Sequence, residues 1–192
     1  MTRIFIFTCV VLISASISFA QEKGSPVNVR YDKKTDTTTV RLKPFKISRL
    51  ILEKEASTDV PLHQVDLEIY FTYRGQTSSS PVEDVFFRFQ VSSSNYVFLR
   101  PQESMAILDN TAGNGRAFSL GVSDYKSYPP KFNSVFEETL VVKAPSDALT
   151  KMAKAEKLQI YLGPVAYDIT DKQFAAIRAL ADSLPSQPRE KE

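Results

Sequence analysis

A single histidine, a single cysteine and no tryptophan set narrow limits on the chemistry open to this 192-residue chain. His63 is the only imidazole, so a Ser-His-Asp arrangement would have to use it. It sits in Pro61-Leu-His-Gln64, a lead-in to a strand, and no Gly-x-Ser-x-Gly elbow is present. It therefore reads as a loop histidine near the surface. One histidine without a thiol in the mature chain leaves a metal only carboxylate and carbonyl oxygens. Asp109-Asn110…Asn114-Gly115 misses the calcium-loop spacing and its distal glutamate, and reads as a polar hairpin tip. Glu137 and Glu138 are neighbours on a strand, so they point to opposite sides and cannot act as a pair on one substrate. With six glycines in all, a phosphate-cradling loop is absent too. No catalytic residue, metal ligand or cofactor is expected.

The residues that could bind rather than react lie in the connector 123–133. Tyr125-Lys-Ser-Tyr-Pro-Pro-Lys-Phe132 interleaves aromatics and prolines with lysines. Tyr125, Tyr128 and Phe132 could offer stacking faces to a sugar or a partner peptide. The competing expectation is that these rings fold back to cover one end of the core. The lack of tryptophan weakens the sugar reading, because indole offers the broadest stacking face.

The elements that must position these residues are organised around Val65–Leu99. Val65, Leu67, Ile69, Phe71 and Tyr73 alternate with Asp66, Glu68, Tyr70 and Thr72. Val85, Phe87, Phe89 and Val91 alternate in the same way further on. Period two marks strands buried on one side, with Glu68 and its companions toward solvent. Val27 to Leu42 reads as a hairpin around Asp32-Lys-Lys-Thr-Asp36, with Pro44 interrupting it. A strand over 47–55 follows, with Leu50 and Leu52 on one side. Further strands are expected at 96–99, at 105–109 with 116–122, at 135–142, and in a last hairpin at 158–162 and 165–169.

Pro145-Ser-Asp147 breaks the chain and caps a short helix whose buried side is Leu149, Met152 and Ala153. The final helix carries a capping box, Thr170 with Gln173, and a hydrophobic staple, Ile169 with Phe174. Its apolar stripe is Phe174, Ile177, Leu180, Ala181 and Leu184. The whole predicts a mainly β fold. It is an antiparallel β-sandwich of about ten short strands, with a short helix and a C-terminal amphipathic helix packed on it. An open barrel is the alternative.

Residues 1–20 have the charge, apolar run and small-residue end of a secretory signal peptide cleaved after Ala20. A single domain over 21–184 and a flexible tail over 185–192 follow. The lone cysteine, Cys9, lies in that leader, so the mature chain has no thiol. Export without disulfides points to a bacterial periplasm or exterior. A net charge of +2 without a basic stripe argues against a nucleic-acid partner, and the mature chain shows no transmembrane segment.

Two stretches carry a resemblance. Tyr31-Asp-Lys-Lys-Thr-Asp-Thr-Thr-Thr-Val40 resembles the opening hairpin of uncharacterised secreted bacterial proteins. The order at the other end is similar as well: an Ala/Lys helix over 148–156, a strand ending Leu162-Gly163, then Tyr167-Asp-Ile-Thr-Asp-Lys-Gln-Phe174. The resemblance implies an exported β domain without an assigned activity, and it transfers no functional residue. With no nucleophile–base pair, metal cluster or phosphate loop in the sequence, the expected role is a non-catalytic cell-envelope protein of a bacterium that binds an envelope protein or a glycan, or supports an assembly. The alternatives are an envelope or extracellular hydrolase whose Ser, Asp or Glu residues meet only in the fold, and a carrier of hydrophobic ligands, which thirteen phenylalanines would permit.

Overall fold

The computed structural model describes residues 24–49, 64–78, 80–93, 103–108, 116–128, 136–162 and 165–185. They form ten strands and two helices. The strands of the first half are β1 (Val27–Asp32), β2 (Thr37–Leu42), β3 (Phe45–Arg49), β4 (Gln64–Arg74) and β5 (Asp84–Ser93). Those of the second half are β6 (Glu103–Leu108), β7 (Arg116–Tyr128), β8 (Phe136–Pro145), β9 (Leu158–Leu162) and β10 (Val165–Asp168). Helix α1 (Ser146–Lys154) separates β8 from β9, and α2 (Asp171–Asp182) follows β10. The fold is mainly β, antiparallel and sandwich-like, as the sequence predicts.

The single sheet curls until it meets itself. Each of β3, β4, β5, β8, β7, β6, β9 and β10 pairs antiparallel with the next, and β10 pairs back with β3. β4 is long enough to hold two strands along one edge. Its residues 70–74 take β2, and its residues 64–67 take β3. Lys43 and Pro44 fall at the break, where a proline costs no ladder bond. Strands β2 and β1 stand outside the circuit, β2 paired with β4 and β1 with β2.

The core is the inner face of this curl. Val65, Leu67, Ile69 and Phe71 of β4 and Val85, Phe87 and Phe89 of β5 are fully buried, on the side the alternation assigns. Burying each such side chain contributes roughly 1.5–3 kcal/mol. A bulge where β7 passes β6 gives β7 an extra residue at Leu120–Gly121. Gly121 has a φ of +122°, and a Cβ there would sit 2.9 Å from the Lys143 carbonyl oxygen, so only glycine fits.

Helix α2 starts as its sequence says. The Gln173 amide donates to Thr170 Oγ1 and the Thr170 amide to Gln173 Oε1, closing the capping box. Gln173 Nε2 also donates to the Lys46 carbonyl at 2.6 Å, tying the helix start to β3. Arg178 donates from Nε to the Ala153 carbonyl at 3.0 Å and from Nη2 to the Ala155 carbonyl at 3.1 Å. A cation thereby meets carbonyls that the end of α1 leaves without helical partners.

Three expectations need correction. Helix α1 is not capped by the side chains of Pro145-Ser-Asp147: its N-cap is Pro145, with no side-chain bond. Asp147 sits in the first turn instead, 2.8 Å from Lys151 one turn on. The first half of the connector is strand, not loop, since β7 runs to Tyr128 against β8. Glu68, expected in solvent, is 4% exposed. The expected residues Leu50, Leu52, His63 and Phe132, the strand at 96–99 and the tip at 109–115 lie outside the described residues.

Candidate functional site

The cause of Glu68's burial is on the outer face of the sheet. Register places Glu68 of β4 opposite Arg88 of β5, and Tyr70 opposite both Phe86 of β5 and Arg41 of β2. Arg88 Nη2 donates to Glu68 Oε2, and Arg41 Nη1 lies 3.7 Å from Glu68 Oε1. The carboxylate is thus covered by two guanidiniums whose side chains keep 38% (Arg41) and 37% (Arg88) of their surface exposed. Two cations share one anion, so the cluster keeps a net positive charge.

Beside the ions, the rings of Tyr70 and Phe86 stack with centroids 5.1 Å apart and planes 15° from parallel. Desolvation raises the Tyr70 phenol above its ordinary pKa, and the Glu68 charge adds to this against the opposing pull of Arg88. Tyr70 stays neutral at physiological pH and can donate a hydrogen bond. Phe86 also lines an open depression of about 310 Å³, together with Thr72, Arg74, Ser78, Ser80 and Glu83. An aromatic wall, hydroxyls, a carboxylate and a guanidinium there can stack and hydrogen-bond a polar ligand.

Of the sequence-predicted residues, Tyr125 and Tyr128 fall on opposite faces of β7. Tyr125 pairs with core-facing Leu140 and donates its phenol hydrogen to Glu138 Oε1 at 2.8 Å. Glu138 is 1% exposed, whereas its neighbour Glu137 faces out, as alternation requires. Tyr128 pairs with Glu137 and is 53% exposed. It shares the outward side with Arg88, two strands across and four residues along, so roughly 10 Å by 13 Å away on a flat sheet. Tyr125 braces the interior, and Tyr128 belongs to the outer surface.

The cluster Arg41, Glu68, Tyr70, Phe86 and Arg88 was missed because its members are up to 47 residues apart in sequence (88 − 41). A weak signal existed: Arg88 sits in an aromatic strand, between Phe87 and Phe89. Which acid it meets depends on register, which alternation alone leaves open.

Among the described residues no group of three or more His, Cys, Asp or Glu is placed to hold a metal ion. Among them, too, no helix is long and apolar enough to cross a membrane. The fold and the outer cluster define a mainly β domain with a charged and aromatic sheet surface. No protein family model, curated protein or solved structure matches the chain.

Proposed function

We propose that the chain is an exported, non-catalytic bacterial cell-envelope protein that binds a protein or glycan partner through the outward side of β4 and β5. The observation that supports this reading is the Arg41–Glu68–Arg88 cluster beside the Tyr70–Phe86 stack, bordering an open depression. Arginine, tyrosine and phenylalanine are the side chains that interfaces concentrate. These sit on rigid paired strands, so little side-chain ordering is left to oppose binding.

The test is a photo-crosslinking residue in place of Phe86 in cells of the native host. The expected result is an adduct of defined mass, lost on Arg88→Glu. An adduct at exposed Lys172 of α2 but none at position 86 overturns the reading. Export has its own measurement: mass spectrometry should find Gln21 as the first residue, and retention of Met1–Ala20 contradicts it.

A further inference from the structure

The sheet has one terminal strand on this side, and its backbone is set up for a neighbour. Strand β1 is last in the strand order and pairs only with β2 among the described residues. The Lys43 amide donates to the Pro26 carbonyl at 3.0 Å, one step beyond the Val27–Leu42 pair. Hydrogen-bonded and non-bonded pairs alternate in an antiparallel ladder. Asn28, Arg30 and Asp32 therefore turn their amides and carbonyls toward β2, and Val29 and Tyr31 turn theirs outward. Val27 follows the same phase, its amide held by Ser25 Oγ at 3.2 Å.

The side chains tell the same story. Val27, Val29 and Tyr31 stand opposite Leu42, Val40 and Thr38, all three buried, and so lie on the core-facing side. Val29 is nevertheless 49% exposed; with Tyr128 it makes the two large exposed hydrophobics among the described residues. The core's apolar row runs out onto an edge. Exposed edges are ordinarily blunted by inward-pointing charge, proline or a bulge. The charges of β1, Arg30 and Asp32, point to the other face and leave Val29 unguarded.

We propose that β1 is a homodimerisation edge, pairing antiparallel with β1 of a second copy about a two-fold axis through Val29. Symmetric registers can centre on Asn28, Val29, Arg30 or Tyr31. An axis at Asn28 pairs only Val27 to Val29 and shortens the overlap. An axis at Arg30 sets Arg30 against Arg30, and directly opposed like charges are destabilising. An axis at Tyr31 shortens the overlap and puts Val29 against Lys33 in the turn. An axis at Val29 overlaps Val27 to Tyr31, five of the six strand residues. Val29 then meets Val29, Val27 meets Tyr31, and Asn28 meets Arg30, with no like charges opposed. The Val29 amide and carbonyl exchange two hydrogen bonds across the axis. Each Tyr31 amide reaches the other copy's Val27 carbonyl, an oxygen with two lone pairs. Such an isologous contact closes on itself and stops at a dimer.

Sedimentation equilibrium of the exported full chain tests this. The expected mass is twice that of the chain, falling to the single mass in Val29→Lys and Val29→Pro. Cys9 is the only cysteine in the sequence, so in a Cys9→Ser background an introduced thiol reports alone. Directly paired strand residues lie within disulfide reach. Oxidised Val29→Cys should cross-link two copies, whereas Arg30→Cys should not; this reading needs no change to the rest of the strand. A monomer at every concentration, a dimer that survives Val29→Lys, or cross-linking through Arg30→Cys instead would overturn the proposal. So would a foreign strand found bound along β1 of a monomeric chain.

Discussion

The two faces of β4 and β5 reach dryness by different physics. On the inner face Ile69 and Phe87, directly paired, are fully buried by apolar contact. One residue along, on the outer face, Glu68 is 4% exposed because two arginines lie over it. The inner face gains from removing apolar area from water, and its stability grows with every methylene packed. The outer face holds a charge that tolerates desolvation only while its partners stay in place. Equal burial therefore does not mean equal tolerance: the inner face resists lost volume, and the outer face resists lost charge balance.

Removing volume on the inner face should have the largest effect. Phe87→Ala should cost about 3–5 kcal/mol in chemical denaturation, since the closed curl limits how far the cavity can collapse. Removing charge outside comes next. Glu68→Gln should cost about 3 kcal/mol, the low end for a broken buried pair, because both arginines remain over a third exposed. If that change is silent in denaturation, the outer cluster is an exposed ion pair and the contrast between the faces fails.

An ionisable group within the core sharpens the contrast by pH. Burial pushes the Tyr167 phenol up to about 12, against a smaller opposing effect of Arg49. With the folded value above the unfolded 10.0, the unfolded chain loses its proton first as pH rises. Stability is then whole below pH 10 and falls between pH 10 and about 12, by on the order of 3 kcal/mol. Tyr167→Phe should flatten that decline in an alkaline series of denaturation curves. The smallest effect belongs to Tyr128→Ser, expected within about 0.5 kcal/mol for an exposed strand position. Tyr125→Ser, which strips a buried carboxylate of its phenol donor, should cost more; equal melting temperatures for the two would mean they do not lie on opposite faces.

What could be read without a structure was local. Alternation over 65–73 and 85–91 assigns the core faces of β4 and β5, because successive side chains of a strand must point to opposite sides. Thr170 with Gln173 marks the start of α2, because the orphan amides of a helix are satisfied within one turn. Strand number and class follow from the same short-range signals. The tertiary structure alone decided that the sheet closes on itself, that Glu68 is dry and that β7 carries Tyr125 inward to Glu138. Each of these depends on register between strands distant in sequence. Alternation repeats every two residues, so it fixes the faces of a strand and leaves open which partner residue stands opposite. Packing of the whole core selects the one register that closes the curl, and that choice brings Arg41 and Arg88 over Glu68.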